Sequence, residues 1–370
     1  MDVAILGATG SIGRQTFEVV KNLPGVRVVA LAAGSDYEGL MEMAKVLKPK
    51  LVALYDKEAA KKFDLPGIEV VAGMEGLVQC ATSADVVVNS IVGSIGLRPT
   101  LAAIKAKKAV AIANKEPLVA AGSLVMVDGA DIRPIDSEHS AIWQCLQSGG
   151  RGAVKRLLLT ASGGAFRTWS KEQIKKATAA DALRHPNWTM GPKITVDCAT
   201  MMNKGLEFME AHWLFDMPYD KIEIVVHPQS VIHSMVEFND GATMAQLAAP
   251  DMGQAIQYAL TFPKRLDRPH KPLDFSKALT FEEPDLEKFP CLRLAMEAAK
   301  IGGTMPAMMN SLNEHLVAAY LKDKIGLYDI SRLIEQAMGA YNVKPMLALE
   351  DVDEAEAWAK EFAIKKEINK

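Results

Sequence analysis

The sequence predicts an α/β protein in three segments: a parallel sheet covered by helices, a central α+β segment and a C-terminal helical bundle. Up to about residue 126, short apolar runs alternate with amphipathic runs, which is the pattern of a parallel sheet with helices on both faces. Between 127 and 262 the strand-like runs are joined by longer connections. Beyond 290 only helical periodicity remains, which favours a small bundle.

In the first segment, 1–126, the buried strands are predicted at short apolar runs. These runs are Val3–Leu6, Val26–Ala32, Leu51–Leu54, Glu69–Val71, Asp85–Asn89 and Val110–Ile112. Helical spacing lies between them, as in Ser11–Lys21 and Tyr37–Leu47. Ligands of such sheets bind beyond the carboxyl ends of the strands, so the loops at those ends are the first candidates for a site.

The central segment, 127–262, is predicted to form a second α+β domain. Its strand candidates are Ile132–Ile135, Arg156–Thr160, Ile194–Val196, Ile222–Val226, Ser234–Phe238 and Ala242–Leu247. The turn Asn239-Asp240-Gly241 predicts that the last two pair as an antiparallel hairpin. Residues 263–290, rich in proline and charge, are predicted to be an extended linker. The bundle, 291–370, is predicted from Leu292–Ala299, Ser311–Lys322, Ile330–Tyr341 and Asp353–Ile368.

Composition excludes several classes of partner. The chain is 49% hydrophobic and 24% charged with a net charge of −3, which argues against nucleic acid, whose phosphates require a basic face. No apolar run is long enough to span a bilayer, and we expect no signal or transit peptide. The four cysteines are scattered without Cys-x-x-Cys spacing, so we expect a reducing, cytoplasmic environment.

A glycine-rich loop, Gly7–Gly13, separates the first predicted strand from the first predicted helix. Glycines permit a tight turn and close approach to a pyrophosphate, whose charge the N–H groups at a helix start attract. The spacing is Gly-x-x-Gly-x-x-Gly rather than the commoner Gly-x-Gly-x-x-Gly, but the strand–loop–helix context is that of a Rossmann-like dinucleotide site. A purely structural turn is the plainer alternative.

Gly34-Ser35-Asp36 follows the second predicted strand, where the adenosine ribose of a dinucleotide would lie. An acidic residue there commonly binds the 2′-hydroxyl of NAD and repels the 2′-phosphate of NADP, so Asp36 raises the question of cofactor preference. An N-cap for the helix starting at Tyr37 explains Asp36 equally well. Arg14 is a candidate partner for a 2′-phosphate, although an exposed helix arginine is the plainer interpretation.

The segment from Ile135 to His139 carries two carboxylates at the end of a predicted strand. In extended backbone, residues two apart point the same way, so Asp136 and Glu138 would converge on one point. Such a pair suits a hard cation such as Mg²⁺ or Mn²⁺. A capping cluster at the start of a helix is the alternative.

A second polar cluster lies in Ala199–Glu207. On a helix, Asn203, Lys204 and Glu207 would share one face, where the amide and ammonium suit a phosphate and the carboxylate suits a metal. A surface Lys–Glu pair is the alternative.

Two loops add candidate ligand contacts. Thr160–Ala165 follows a strand and offers a hydroxyl and backbone N–H groups, as in a phosphate-binding nest, or else is a plain strand-exit turn. His185–Gly191 concentrates an imidazole, an indole and a thioether, which suggests a lid over a ligand. His227 and His233 fit structural and site roles equally.

Taken together and in order, these motifs resemble the 1-deoxy-D-xylulose 5-phosphate reductoisomerase family over essentially the whole chain. The resemblance rests on Gly7–Gly13, Ala113–Glu116, Ile135–Ile142, Ser162–Gly164, His185–Trp188, Ala199–Glu207 and His227–Ser234. Several long motifs in the right order are more specific than any one of them, so the resemblance favours the site interpretations over the plainer alternatives.

The resemblance implies a homodimeric enzyme that uses NADPH and one divalent cation, Mg²⁺, Mn²⁺ or Co²⁺. It would rearrange 1-deoxy-D-xylulose 5-phosphate, by a retro-aldol/aldol route or an α-ketol shift, and reduce the product to 2-C-methyl-D-erythritol 4-phosphate in the non-mevalonate isoprenoid pathway. Residues 1–126 would bind NADPH, and 127–262 would provide the catalytic, metal-binding and dimerisation domain.

The resemblance also implies roles for individual residues. Catalytic roles fall to Lys115, Glu138 and His185, and the metal would be held by Asp136, Glu138 and Glu207. The substrate would contact Lys115, Ser137, Glu138, Ser162, His185, Cys198, Asn203, Lys204 and Glu207. The nucleotide would contact Thr9, Gly10, Ser11, Ile12, Gly34, Ser35, Asp36, Asn114, Glu116 and Gly191. Trp188 and Met190 would belong to the closing lid.

Three positions depart from the usual family pattern. Cys198 stands where a phosphate-binding serine is usual, so a weaker hydrogen bond is expected there. Ser35-Asp36 replaces a polar or basic pair ending in asparagine, which puts strict NADPH preference in question, and Pro117 replaces a typical serine. Two other functions stay open: a metal-assisted NAD(P) dehydrogenase of another small phosphorylated substrate, and a nucleotide-sensing regulatory protein on the same scaffold.

Overall fold

The computed structural model describes residues 1–188 and 190–366. The chain divides into two compact units. Unit 1 contains Met1–Pro117, Val125–Ser140 and Asp251–Pro269. Unit 2 contains Leu118–Leu124, Ala141–Pro250 and the chain from His270 onward.

The regular elements follow one another along the chain as strands and helices. The strands are β1 (Asp2–Leu6), β2 (Arg27–Ala33), β3 (Leu51–Leu54), β4 (Glu69–Ala72), β5 (Val86–Asn89), β6 (Ala109–Ile112), β7 (Ile132–Pro134), β8 (Val154–Ala161), β9 (Ile222–Val226), β10 (Ile232–Phe238) and β11 (Thr243–Leu247). The α-helices are α1 (Ser11–Lys21), α2 (Tyr37–Leu47), α3 (Lys57–Ala60), α4 (Gly73–Thr82), α5 (Leu97–Lys105), α6 (Glu116–Val125), α7 (Ser137–Leu146), α8 (Lys171–Ile174), α9 (Ala179–Ala182), α10 (Pro192–Ala199), α11 (Met202–Phe215), α12 (Met252–Thr261), α13 (Pro290–Ile301), α14 (Met305–Tyr320), α15 (Leu327–Ala340) and α16 (Leu349–Lys365). In the described part of the chain there are also three short 3₁₀ helices, Ser94–Gly96, Arg151–Ala153 and Tyr219–Lys221.

Unit 1 is organised around a seven-stranded parallel sheet with the order β4-β3-β2-β1-β5-β6-β7. The predicted parallel sheet is confirmed, and its central strands are continuous apolar runs because both faces are covered by helices. Its core includes Ile5, Leu31 and Val88, each fully buried. The chain runs outward from β1 in one direction and then from β5 in the other, so the order reverses between these two strands, where ligands of such sheets bind.

The last strand and one late helix of unit 1 come from parts of the sequence that were predicted to belong to the second domain. Strand β7 pairs in parallel with β6 rather than with the second sheet. Helix α12 packs on α1, β6 and β7, and its Ile256, Ala259 and Leu260 join the core of unit 1. The apolar face of α12 could pack on either sheet as far as its sequence shows. Only the tertiary structure shows that it covers the sheet of unit 1.

Unit 2 contains a four-stranded sheet with the order β11-β10-β8-β9, in which β10 is antiparallel to both neighbours and β8 is parallel to β9. The predicted hairpin between β10 and β11 is confirmed, with Gly241 at a φ of +88° in the turn. The predicted strand at Ile194–Val196 is wrong. These residues lie in α10, because Pro192 at its first position has the fixed φ that starts a helix and the following side chains are buried on one side.

The C-terminal part of unit 2 is helical, as predicted, and consists of α13 to α16. The predicted last helix reached Ile368, but residues 367–370 lie outside the described part of the chain. Residues 270–289 form neither α-helix nor named strand, yet Glu282 pairs with Val226 beside the second sheet through two backbone hydrogen bonds of 2.9 Å. Within the described residues, every helix is too short or too polar to cross a membrane.

Candidate functional site

The glycine loop of unit 1 lies at the point where the strand order reverses. Gly7 has a φ of +76°, and a Cβ there would lie 2.5 Å from the carbonyl oxygen of Ser90, which follows β5. A Cβ on Gly13 would lie 2.2 Å from the carbonyl oxygen of Gly7, so a side chain at either position would collide with backbone. Helix α1 begins at Ser11 without a side-chain cap, which leaves its first N–H groups to a ligand. The loop therefore fits a pyrophosphate.

Asn114 follows β6 at the same edge of the sheet and is 4% exposed. Its amide nitrogen donates to the carbonyl oxygens of Ile91 and Gly93, which follow β5. Its Oδ1 is buried and accepts no hydrogen bond from the described residues, so it can accept one from a ligand amide or hydroxyl. The turn 91–93 was missed in the sequence, although its place after a buried strand at the reversal point was the available signal.

The acidic cluster of unit 1 lies at the carboxyl ends of β6 and β7. Asp136 binds the ammonium of Lys115, whose side chain is 9% exposed against 14% for Asp136. The other carboxylate oxygen of Asp136 accepts the backbone N–H of Glu138 at 3.3 Å, and Ser137 donates to Glu138. The expectation of an extended backbone here is wrong, because β7 ends at Pro134 and α7 begins at Ser137. Asp136 and Glu138 are nevertheless neighbours, since a capping carboxylate lies beside the first turn.

In unit 2 the turn after β8 positions Ser162 beside His185. Gly163 and Gly164 have φ values of +83° and +69°, and a Cβ on Gly164 would lie 2.2 Å from the carbonyl oxygen of Cys198. Only glycine allows this turn to pack against the last residues of α10. The Ser162 hydroxyl lies 3.0 Å from Nε2 of His185 and accepts the N–H of Gly164 at 3.2 Å.

The tautomer of His185 follows from its backbone contacts. Its Nδ1 accepts N–H groups from Asn187 at 3.2 Å and from Trp188 at 3.0 Å, so this nitrogen carries no proton. The ring proton of the neutral imidazole is therefore on Nε2 and is donated to Ser162. His185 is held as a hydrogen-bond donor at its Nε2.

The predicted lid is anchored at its first half. The side chain of Asn187 donates to the carbonyl oxygen of Pro228 at 2.7 Å and to the Ser230 hydroxyl at 2.8 Å. Ser230 has a φ of +50°, and the Trp188 ring lies 6.2 Å from that of His233. Met190 is half-buried, and Thr189 lies outside the described residues.

His227 has a structural role, because its Nδ1 binds the carbonyl oxygen of Thr280 at 2.9 Å and its Nε2 accepts the N–H of Val231 at 3.3 Å. Its ring also stacks on Phe281 at 5.0 Å. Both ring nitrogens are therefore used to hold the 227–231 turn against residues 280–281.

Helix α11 carries the second polar cluster. Asn203 and Lys204 both donate to the carboxylate of Glu207, one to each oxygen. The Lys204 and Glu207 side chains are 5% and 2% exposed, which excludes the surface pair that the sequence left open. Gly205 lets α11 pack closely, because a Cβ there would lie 2.3 Å from that of Ala295 on α13.

Helix α10, which carries Cys198, is fixed to the C-terminal helices. Asp197 is 1% exposed, binds Lys193 at 3.0 Å, and accepts a hydrogen bond from Asn313 of α14 at 2.9 Å. This buried contact, which the sequence did not indicate, orients the end of α10 where Cys198 lies.

The predicted residues thus fall into two sets. The structure places Thr9, Gly10, Ser11, Ile12, Gly34, Ser35, Asp36, Asn114, Lys115, Glu116, Asp136, Ser137 and Glu138 in unit 1. It places Ser162, His185, Trp188, Met190, Gly191, Cys198, Asn203, Lys204 and Glu207 in unit 2. Within unit 1 the candidates cluster at the carboxyl edge of the sheet, and within unit 2 they cluster around the β8 exit and the α10–α11 turn.

A glycine loop at the reversal point of a parallel sheet, with a largely buried lysine–carboxylate pair at the carboxyl edge of the same sheet, defines a dinucleotide-dependent oxidoreductase. Comparison with known sequences identifies the family. Residues 3–122 match 1-deoxy-D-xylulose 5-phosphate reductoisomerase, and residues 132–215 match the C-terminal domain of that enzyme. Residues 247–362 match a further DXP reductoisomerase C-terminal domain. The chain belongs to the 1-deoxy-D-xylulose 5-phosphate reductoisomerase family.

Individual relatives are similar over nearly their full length. A 1-deoxy-D-xylulose 5-phosphate reductoisomerase from Heliobacterium modesticaldum is 51% identical, with 98% of this chain and 96% of the relative covered. The structure of the Zymomonas mobilis enzyme in complex with NADPH has a TM-score of 0.92 at 43% identity, covering 100% of this chain and 99% of that one. A DOX-P reductoisomerase in complex with NADPH, fosmidomycin and magnesium has a TM-score of 0.93 at 38% identity, covering 99% and 98%.

The four thiols should differ sharply in reactivity. Burial raises the pKa of Cys80 and Cys291 to about 12 and that of Cys145 to about 11, whereas Cys198 is only half-buried. The thiolate is the nucleophile, and a raised pKa depletes it until the pH approaches that value. At pH 8 we expect one fast-reacting thiol with 5,5′-dithiobis(2-nitrobenzoate) in the folded protein and none in Cys198→Ser. A second fast thiol in the folded wild type would contradict this assignment.

The anchor of the lid should be measurable by hydrogen exchange. Asn187→Ala removes two hydrogen bonds to the 228–230 turn, so amides of residues 185–191 should exchange at least about fivefold faster, since each bond contributes about 1 kcal/mol. Ser230→Ala removes one acceptor only and is the matched variant, with a smaller effect. Unchanged exchange in Asn187→Ala, read by mass spectrometry, would show that other contacts hold this loop.

Proposed function

We propose that this chain converts 1-deoxy-D-xylulose 5-phosphate to 2-C-methyl-D-erythritol 4-phosphate, using NADPH and one divalent cation, in the non-mevalonate isoprenoid pathway. One observation carries the proposal beyond family membership. In each unit a lysine assigned to the substrate is bound to a carboxylate assigned to the metal, as Lys115 with Asp136 and Lys204 with Glu207. When the carboxylate binds the metal, the lysine becomes available to the substrate, so binding of the metal and binding of the substrate are coupled.

The donor chemistry fits a hard divalent cation. Asp136, Glu138 and Glu207 offer carboxylate oxygens, the ligands that Mg²⁺ and Mn²⁺ prefer, and Glu207 is 1% exposed. We propose that these three carboxylates hold one ion, which is the assignment the family resemblance implies. A divalent cation held there supplies Lewis acidity to a ketone oxygen, and bound NADPH supplies a hydride.

The lysines then change partners. Lys115 and Lys204 occupy carboxylate oxygens that metal ligation requires, so each ammonium gives up its acid when that acid binds a cation. Lys115 is then available to the hydroxyl and carbonyl end of the substrate, beside Ser137. Lys204 is available to the phosphate, so metal and substrate should bind with positive coupling.

The proposed binding site for the substrate phosphate contains neutral hydrogen-bond donors and one positive charge. Ser162, Asn203 and Lys204 are proposed to bind the phosphate, and the Nε2–H of His185 orients the Ser162 hydroxyl. Cys198 stands where a serine is usual, and its thiol is a weak donor. Phosphate binding away from the reacting carbons fixes the orientation of the substrate and stabilises the closed lid.

At the nucleotide end, the proposed contacts follow the carboxyl edge of the sheet. The loop 9–12 is proposed to receive the pyrophosphate, and residues 34–36 the ribose. Asn114 and Glu116 are proposed to line the nicotinamide, which the buried acceptor of Asn114 supports. Gly191, the residue before α10, is also proposed to contact the nucleotide.

The direct test is consumption of NADPH by the purified protein. Absorbance should fall only when both 1-deoxy-D-xylulose 5-phosphate and Mn²⁺ or Mg²⁺ are present, and chelation should stop it. Mass spectrometry of the product should identify 2-C-methyl-D-erythritol 4-phosphate. A protein that binds NADPH but leaves it unoxidised under these conditions would favour a nucleotide sensor, and turnover of a different phosphorylated hydroxy compound would favour the dehydrogenase.

Two substitutions separate the metal end from the phosphate end. Asp136→Asn should lower kcat at least about 100-fold with NADPH affinity unchanged, because a ligand is lost. Lys204→Gln, which keeps a donor for the buried Glu207, should raise KM about tenfold, the value of one charge-assisted hydrogen bond. Cys198→Ser is the matched variant and should lower KM. The reverse pattern, a KM effect for Asp136→Asn and a kcat effect for Lys204→Gln, would show that the roles are exchanged.

We also propose a homodimer in the cytoplasm. Strand β11 is at the edge of the second sheet, and its sequence Thr-Met-Ala-Gln-Leu contains neither a charge nor a proline to prevent pairing with another strand. Met244 of this strand is 44% exposed. The cytoplasmic location is supported by the four cysteines, since none of them is in a disulfide in the described part of the chain.

Sedimentation velocity tests the dimer. The wild type should sediment as a dimer at micromolar concentration, and Met244→Lys should shift it toward monomer because the charge lies on the edge strand. Val46→Lys is the control, because Val46 is also an exposed apolar residue but lies on α2 rather than on the edge strand. This variant should remain dimeric. A monomeric wild type would overturn this part of the proposal.

A further inference from the structure

The loop after β2 joins the nucleotide site to α2 through Asp36. Its Oδ1 accepts the N–H of Gly39 at 2.9 Å and so caps α2. A Cβ on Gly39 would lie 2.5 Å from Oδ2 of Asp36, so glycine at this position leaves room for the capping carboxylate. The helix cap, one of the two roles that the sequence left open for Asp36, is therefore present, and it fixes the position of the acidic charge.

The same carboxylate contacts Arg14 of α1. Nη2 of Arg14 lies 3.4 Å from Oδ2 of Asp36, and Nε of Arg14 donates to the carbonyl oxygen of Thr9 at 2.9 Å. The guanidinium thus bridges the glycine loop and the end of β2, which are the two places where a dinucleotide presents its pyrophosphate and its adenosine ribose. Its side chain is 55% exposed and that of Asp36 is 45% exposed.

We propose that Arg14 and Asp36 together set the choice between NADPH and NADH in this chain, with Arg14 binding the 2′-phosphate and Asp36 opposing it. This inference rests on the proposed function for the identity of the cofactor. An arginine fork matches a phosphate and forms charge-assisted hydrogen bonds. The exposed ion pair at 3.4 Å is weak, so the guanidinium can turn to a phosphate at little cost. The Asp36 carboxylate cannot turn away from the phosphate as easily, because its hydrogen bond to Gly39 at the start of α2 holds it in place.

The expected result is a protein that binds both nucleotides with only a modest preference for NADPH. Without the 2′-phosphate, NADH leaves Arg14 paired with Asp36, and the carboxylate can accept the 2′-hydroxyl. With the 2′-phosphate, Arg14 gains a dianionic partner while Asp36 adds repulsion. The two residues therefore act in opposite directions on the same affinity ratio.

Binding is the decisive measurement, because it does not depend on turnover. Dissociation constants for NADPH and NADH, and for adenosine 2′,5′-bisphosphate and AMP, are measured by calorimetry with wild type, Arg14→Ala and Asp36→Asn. Asparagine retains the oxygen that accepts from Gly39, so α2 keeps its cap. Arg27→Ala is the matched control, since Arg27 forms an exposed pair with Asp2 at the opposite, amino end of the same sheet.

Arg14→Ala should raise the dissociation constants of NADPH and the bisphosphate about tenfold, because one charge-assisted hydrogen bond is lost. The dissociation constants of NADH and AMP should stay within about twofold of the wild-type values. Asp36→Asn should raise the NADPH-to-NADH affinity ratio severalfold, and Arg27→Ala should leave it unchanged. Equal losses for both nucleotides in Arg14→Ala, or an unchanged ratio in Asp36→Asn, would overturn the inference while leaving the proposed function intact. Normal nucleotide binding with no turnover of deoxyxylulose phosphate would overturn the proposed function alone.

Discussion

The site depends on one constraint: a buried carboxylate must have a positive charge beside it, from a lysine or from a metal ion. Glu207 is 1% exposed and lies within α11, where an isolated negative charge would be costly. Lys204, one turn earlier, supplies the opposite charge, and removal of one partner of such a buried pair typically costs about 3–5 kcal/mol. The pair therefore stabilises the protein and at the same time holds the proposed metal ligand Glu207 beside the proposed phosphate contact Lys204.

Unit 1 meets the same constraint by a different route. Lys115 and Asp136 come from the ends of adjacent strands, β6 and β7, so the pairing of the sheet brings their charges together. In α11 the pair is local and depends only on helical spacing. In both arrangements the lysine balances the charge of a largely buried carboxylate. In the proposed function, each lysine would release its carboxylate when that carboxylate binds the cation.

Sequence motifs predict some features of the candidate site and miss others. The glycine loop, the Asn203–Glu207 helix face and the His185–Trp188 segment were all visible in the sequence because their chemistry depends on local spacing. The tautomer of His185 was not visible, since it depends on N–H groups of Asn187 and Trp188 in one particular turn. The buried Asp197–Asn313 contact joins residues 116 positions apart, and no local pattern indicates such a pair.

The sequence by itself determined the alternation of strands and helices, the bounds of α1 and α2, the β10–β11 hairpin and most of the candidate residues, because these depend on periodicity, turn residues and motif spacing. Tertiary structure alone decided that β7 and α12 complete the first sheet unit, that Ile194–Val196 is helical behind Pro192, and that Asp36 is shared between a helix cap and Arg14. In each of these cases an apolar or charged side chain had several acceptable partners, and only packing in three dimensions selected one.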